Sequence, residues 1–135
     1  MRLDHVGVAV RAVSEAADFY RDSLGLEVVH REEVPEQGVR VAFLADPGDA
    51  EGCQVELLEP ISGTGAVAKF LSERGPGLHH LAFRAGEVGA AMRRLRAAGL
   101  PPLESAPRPG ARGHQVCFLH PRHCHGVLLE LVGWS

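Results

Sequence analysis

The sequence contains few cysteines and few aromatic residues, and it has no long apolar run. Its 3 cysteines among 135 residues are an odd number without the spacing of a disulfide framework. This pattern is atypical of a small secreted domain and favours a reducing compartment, so we predict a cytoplasmic protein. No basic-then-apolar leader precedes the first strand pattern, and no apolar stretch reaches the roughly 18 residues that a membrane-spanning helix requires. We therefore expect no membrane partner.

The sequence also has no excess of positive charge. The formal net charge is -3 at pH 7, and Lys69 is the single lysine among the 14 lysines and arginines. Nucleic-acid-binding proteins usually present a basic surface, so we expect no nucleic-acid partner. A hydrophobic content of 45% over 135 residues is enough to bury a core, which predicts one domain over residues 1–135.

The chain does contain an internal repeat, and the fold prediction depends on it. Residues 3–8 (LDHVGV) return about 75 positions later as residues 78–83 (LHHLAF). Each copy has a histidine at its third position, His5 in the first and His80 in the second. A helical pattern and three strand patterns follow in both halves, and the last strand contains Glu56 in one half and Glu130 in the other.

This order predicts an α+β fold in which two tandem βαβββ modules form a curved mixed sheet around a metal-containing cavity. Module one covers about residues 1–60, a connector about residues 61–77 and module two about residues 78–135. The predicted helices are residues 14–24, with Ser14 as N-cap and Gly25 as the stop, then about 67–74, and 88–98. In module two we also predict a strand near Leu103.

Side chains alternate between the two faces of a strand, which separates the polar candidates from their apolar neighbours. The apolar residues of the first and last strands are Val6, Val8, Leu81, Phe83, Val55, Leu57, Leu129 and Leu131. If these residues face the helices, then His5, Glu56, His80 and Glu130 all point to the opposite, open face. A pseudo-two-fold between the modules would bring the four side chains toward one axis.

Two imidazoles and two carboxylates form a ligand set that suits a divalent ion of cobalt, manganese, nickel, iron or zinc. Sulfur is absent from the set, so a closed structural zinc site is not expected. His79 competes with His80 for this role, but its parity places it on the apolar face. Glu59 could replace Glu56, although it lies at the strand end and on the other face.

A second group of histidines and cysteines resembles a metal site in composition alone. It consists of Cys117, His120, His123, Cys124 and His125. Most of these residues lie in a loop, and the first half contains no matching group. We therefore interpret Cys117 as a core residue and favour no metal site in this loop.

Six segments carry a resemblance to a known family. They are LDHVGVAV at residues 3–10, HREEVPEQGV at 30–39, VELLEP at 55–60, GLHHLAF at 77–83, FLHP at 118–121 and GVLLEL at 126–131. Together they resemble the methylmalonyl-CoA epimerase family of the vicinal oxygen chelate superfamily, the glyoxalase–bleomycin resistance–dioxygenase group. The resemblance implies a homodimer that acts on an acyl-CoA and holds a divalent metal, most often cobalt, at His5, Glu56, His80 and Glu130.

The implied activity is that of an isomerase, which interconverts (R)- and (S)-methylmalonyl-CoA by removing and returning the alpha proton. Transfer from a thioester alpha carbon, with a pKa on the order of 20, to a carboxylate is uphill by roughly 20 kcal/mol. A metal-stabilised enediolate would lower this barrier. We expect Glu130 to be both ligand and base. Some members have a second glutamate where this chain has Val41, so we assign the other face to Glu56, with a water or a nearby histidine as the fallback.

Two other functions fit the same fold. A glyoxalase-type lactoylglutathione lyase would use the same two histidines and two glutamates. A small-molecule binding protein, such as one that sequesters an antibiotic, would need no matched ligand set. The PEQG and HH segments of the sequence favour the epimerase over the lyase, and the four matched ligand candidates favour an enzyme over the binding protein.

Overall fold

The structure, a computed structural model, describes residues 1–134 and contains eight strands and three helices within that range. The first half has β1 (Arg2–Ala9), α1 (Val13–Leu24), β2 (Glu27–Val34), β3 (Val39–Ala45) and β4 (Gln54–Pro60). After α2 (Ala66–Arg74), the second half has β5 (Gly77–Glu87), α3 (Val88–Ala97), β6 (Arg108–Pro109), β7 (Gln115–Leu119) and β8 (Leu129–Trp134). The predicted α+β order of one strand, one helix and three strands, repeated once, is confirmed. None of the helices in the described range has the length and apolar character needed to cross a membrane.

The sheet order is β2-β3-β4-β1-β5-β8-β7-β6, so the two halves use the same pairing scheme. In the first half β1 pairs with β4 in parallel, and β4, β3 and β2 continue antiparallel. In the second half β5 pairs with β8 in parallel, and β8, β7 and β6 continue antiparallel. The chain divides into two compact units, His5–His79 and the chain from His80 onward together with Met1–Asp4.

In the unit His5–His79, α1 packs on an apolar cluster of the sheet. The cluster consists of Val10, Val13, Ala17, Ala42, Leu44 and Leu57, with Val8 and Val55 packed against it. Gly25 ends the helix in the left-handed conformation, as predicted. The predicted Ser14 N-cap is wrong, because the helix begins at Val13 and its N-cap, Ala12, offers no side-chain acceptor. The Val13 N–H instead donates to Glu59 Oε1 at 2.8 Å, so a carboxylate from β4 satisfies the helix end.

In the second unit, α3 packs on a similar cluster formed by Val88, Ala91, Met92, Cys117 and Leu131, with Phe83 against it. Cys117 is fully buried there, which confirms that it is a core residue. Burial, together with the negative charges of Glu104 and Glu130, raises the pKa of the Cys117 thiol to about 12.

The predicted strand near Leu103 is wrong. The outer strand is β6, which has only two residues, Arg108 and Pro109. Leu103 makes one backbone bond, from its N–H to the Phe118 carbonyl at 2.8 Å. Pro101 and Pro102 precede it and cannot donate to a ladder, so the pairing does not extend along this segment.

Candidate active site

The first unit buries a histidine and a glutamate side by side. His5 lies on β1 and Glu56 on β4, and His5 Nε2 is 3.2 Å from Glu56 Oε1. The parallel register sets Glu56 beside Gly7, which has no side chain to occupy the space next to the carboxylate. Phe43 of β3 lies opposite Glu56 and packs edge-on against the His5 ring at 5.3 Å.

The second unit repeats this arrangement. His80 lies on β5 and Glu130 on β8, and His80 Nε2 is 3.3 Å from Glu130 Oε1. Glu130 pairs with Ala82 on one side and with Phe118 on the other. The Phe118 ring contacts the His80 ring edge-on at 6.1 Å. Each half therefore supplies one imidazole, one carboxylate and one aromatic ring in the same relative positions.

All four residues are at least 95% buried. Their strand neighbours of opposite parity, Leu57 and Leu131, belong to the clusters under the helices, which confirms the predicted separation of faces. A buried carboxylate is costly unless positive charge compensates it. A protonated imidazole or a metal cation can provide that charge.

The donor set fits a metal ion. Each of the four residues offers one ligand atom, and these atoms lie within 4.8 Å of one another. Two ligands at roughly 2.1 Å from an ion and at right angles to each other are about 3.0 Å apart. The nitrogen-to-oxygen separations of 3.2 and 3.3 Å within the two pairs are close to that value. Imidazole nitrogen with carboxylate oxygen suits borderline divalent cations.

The competing candidates lie elsewhere. His79 packs edge-on against Phe70 of α2 at 5.1 Å. Glu59 accepts the Val13 N–H and also binds Arg40 Nη1 at 2.7 Å, so it has a structural role.

The histidine-rich loop forms no second group of metal ligands in the described part of the chain. His120 Nδ1 instead accepts the Arg122 N–H at 3.0 Å, which stabilises a short helical turn at residues 121–123. Cys124 and His125 follow this turn, and neither belongs to a cluster of ligands among residues 1–134.

Sequence reasoning missed a polar pair on β2. His30 Nε2 is 2.7 Å from Glu32 Oε1, and in the register His30 lies opposite Phe43 and Glu32 opposite Val41. Residues directly opposite each other in an antiparallel pair share a face. The pair therefore lies on the same face as His5 and Glu56, next to the buried Val41. The signal that could have revealed the pair is the spacing of His30 and Glu32, which are two positions apart in one predicted strand.

Comparison with known proteins agrees with this architecture. Residues 4–118 match the family model described as the Glyoxalase/Bleomycin resistance protein/Dioxygenase superfamily. The ethylmalonyl-CoA/methylmalonyl-CoA epimerase of Cereibacter sphaeroides is 40% identical, over 96% of this chain and 96% of that protein.

Two solved structures are also similar over nearly the whole chain. The crystal structure of methylmalonyl-CoA epimerase from Mycobacterium tuberculosis is 41% identical, with a TM-score of 0.93 over 99% of this chain and 88% of that one. A Streptomyces coelicolor methylmalonyl-CoA epimerase variant in complex with 2-nitronate-propionyl-CoA is 42% identical, with a TM-score of 0.92 over 100% of this chain and 98% of that one.

Proposed function

The chain belongs to the methylmalonyl-CoA epimerase family of the glyoxalase/bleomycin resistance protein/dioxygenase superfamily, and from this we propose that it interconverts (R)- and (S)-methylmalonyl-CoA. The observation that carries the proposal is the pair of buried His–Glu contacts, His5 with Glu56 and His80 with Glu130, on equivalent strands of the two halves. A binding protein that performs no chemistry would have no need to bury two matched carboxylates.

We propose that these four residues hold a divalent cation. Cobalt is the first candidate, and manganese, nickel, iron and zinc suit the same donors. When bound, such an ion supplies positive charge beside the thioester and carboxylate oxygens of the substrate, where negative charge develops as the alpha proton leaves.

Glu130 is our candidate for the base. One of its oxygens, Oε1, lies against His80 Nε2, and the carboxylate has a second oxygen for the alpha proton. Ala82, Val116 and Val132 form an apolar cluster on the same face as Glu130, with Phe118 packed against it. This cluster limits the water around the carboxylate, so the proton that Glu130 takes up is held at a defined position.

Inversion requires a second group on the opposite face of the alpha carbon. We propose Glu56 for this role, because it has the equivalent position in the first half. The fallback is the His30–Glu32 pair, which lies opposite Phe43 and Val41 and is joined by a 2.7 Å contact. Val41 itself has no proton to exchange.

The test is deuterium uptake at the alpha carbon of methylmalonyl-CoA in D2O, with and without prior chelation. We expect uptake and epimerisation by the protein as purified, loss of both after chelation, and recovery with added Co²⁺. Assay of the glutathione thiohemiacetal of methylglyoxal under the same conditions tests the lyase. Uptake into neither substrate, with metal loading verified, would refute the proposed function.

Assembly and location are part of the same proposal. We propose a homodimer, which light scattering after size exclusion tests directly. We also propose a cytoplasmic location, in keeping with the free thiols of Cys117 and Cys124.

A further inference from the structure

The outer strand of the second half places a cation on the face that bears Glu130. Arg108 of β6 lies opposite Val116 in the register. Val116 belongs to the apolar cluster on that face, against which Phe118 packs. The Arg108 guanidinium lies over the Phe118 ring, with Cζ 5.3 Å from the ring centroid, and Phe118 in turn contacts the His80 ring.

Two contacts fix the inner part of this side chain. Arg108 Nε is 3.6 Å from Glu104 Oε1, and the other oxygen of Glu104 accepts the Phe118 N–H at 2.8 Å. The stacked ring supports the guanidinium from one side. Glu104 therefore positions both the arginine and the aromatic ring on which it lies.

The hydrogen-bonding capacity of Arg108 is left largely unused. Its Nε is buried and makes no hydrogen bond, and its terminal nitrogens make none to any residue in the range 1–134. A guanidinium has five N–H donors in a planar fork that matches a carboxylate or a phosphate. The side chain is 39% exposed, so an anion from solvent can reach the terminal nitrogens.

The equivalent outer strand of the first half has a different character. There, β2 places the His30–Glu32 pair beside Phe43, where β6 places Arg108 beside Phe118. The inner residues of the two halves repeat, whereas the outer residues differ in charge. Such a difference suits a substrate without two-fold symmetry, because its acyl part and its CoA part present different groups to the protein.

We propose that Arg108 is a substrate-binding residue whose terminal nitrogens bind an anionic group of the acyl-CoA, either the acyl carboxylate or a phosphate of the CoA moiety. This inference rests on the proposed function for the identity of the ligand. The competing role is structural, in which the arginine stem covers Phe118 and its charge is irrelevant.

Binding measurements separate these roles. The variants are Arg108→Met, which keeps an apolar stem over Phe118 without charge, Arg108→Lys, which restores charge, and Arg93→Gln as the control. Arg93 is exposed on α3, under the opposite face of the sheet, and its replacement changes the net charge by the same amount as Arg108→Met.

The ligands are propionyl-CoA, which has phosphates and no free carboxylate, and methylmalonyl-pantetheine, which has the carboxylate and no phosphate. Titration calorimetry on Co²⁺-loaded protein gives each Kd, and racemic methylmalonyl-pantetheine is used so that epimerisation causes no net change in the ligand.

We expect Arg108→Met to weaken one of the two ligands by about tenfold to a hundredfold, the range for loss of a charge-assisted hydrogen bond. Arg108→Lys should recover part of that affinity, and Arg93→Gln should change neither Kd. Loss with propionyl-CoA alone identifies a phosphate, and loss with methylmalonyl-pantetheine alone identifies the carboxylate. The proposal is overturned if Arg108→Met matches Arg93→Gln, or if both ligands weaken and Arg108→Lys restores neither. Absence of deuterium exchange by the wild type would count against the proposed function and leave these Kd values interpretable.

Discussion

Gly133 of β8 lies directly against Gly86 of β5, so close that a Cβ on Gly133 would overlap the Gly86 carbonyl oxygen. The register between these two strands shifts between Arg84 and Gly86, and Gly86 has a φ of 71°. The Trp134 ring packs over Gly86 at 3.7 Å from the position that its Cβ would occupy. The second half therefore depends on two glycines where its parallel strands approach each other.

We predict that Gly133→Ala destabilises the protein by about 1–3 kcal/mol, because a backbone oxygen cannot move aside as a flexible side chain can. Chemical denaturation with the midpoint and slope fitted separately measures the change. Gly77→Ala is the matched control, since a Cβ there would meet no atom within 4 Å. Equal stability of the two variants would contradict the predicted steric conflict.

The contact between Glu59 and the start of α1 predicts a different pair of variants. Glu59→Ala removes the acceptor of the Val13 N–H and the partner of Arg40, and we expect a loss of about 1 kcal/mol. Glu59→Gln keeps a carbonyl oxygen for the N–H and should lose less. Thermal unfolding of both variants compares the two losses of stability, and an equal loss for glutamine and alanine would show that the charge on Glu59, rather than the acceptor for the Val13 N–H, is what matters.

The metal proposal predicts that added Co²⁺ raises the stability of the wild-type protein after a chelator has removed its metal. A ligand at 100 times its Kd contributes about 2.7 kcal/mol when it binds only the folded protein. His5→Ala removes one of the four donors and should abolish most of the increase in Tm. His79→Ala is the control, because His79 packs on Phe70 and belongs to no ligand group. An equal Co²⁺ response in the two variants would remove His5 from the ligand set.

Glu56→Gln tests the assignment of the second proton-transfer group. We expect it to slow deuterium exchange into one stereoisomer of methylmalonyl-CoA far more than into the other, because Glu130 remains to serve its own face. Chiral analysis of the exchanged product follows both rates. Glu73→Gln, on the exposed surface of α2, is the control. Equal slowing of both isomers would end the assignment and direct attention to His30→Gln and Glu32→Gln.

Cys117 should resist thiol reagents in the folded protein. Its pKa of about 12 leaves roughly one thiolate in ten thousand at pH 8, and the side chain is fully buried. The pKa of Cys124 is also raised by burial, but that residue is partly accessible and should react before Cys117. Mass spectrometry of alkylated peptides over time gives the order. Early modification of Cys117 in native buffer would mean that the second half opens readily.

Strand parity alone favoured His80 over His79 and Glu56 over Glu59. Side chains alternate between the two faces of a strand, so His79 and Glu59 were expected on the face that packs against the helices. Parity alone does not assign the faces of β2, because the register shifts between Val28 and His30. Val28 packs with the cluster under α1, whereas His30, two residues later, faces Phe43 on the opposite side. Such an irregularity depends on the partner strand, so the local sequence can suggest the His30–Glu32 pair but not the face on which it lies.

The same limit applied to the ends of elements. A helix cap from Glu59, 46 positions away from Val13, cannot be read from residues near the helix. Arg108 was equally hidden, because a two-residue strand leaves no alternation to interpret. The repeat and the two buried His–Glu pairs were predictable since they depend on spacing within a strand. The missed residues depend on contacts made after folding.

The two outermost strands also differ in how they resist uncontrolled association with other chains. β6 ends the sheet with two residues, one of them a proline, and offers almost no ladder to an incoming strand. β2 is eight residues long, but its outward positions include Glu27, Arg31 and Glu33, whose charges oppose stacking against an apolar strand. Val29 is the exposed apolar residue on this edge. Its replacement by the larger β-branched residue isoleucine would therefore favour fibre formation that starts from β2.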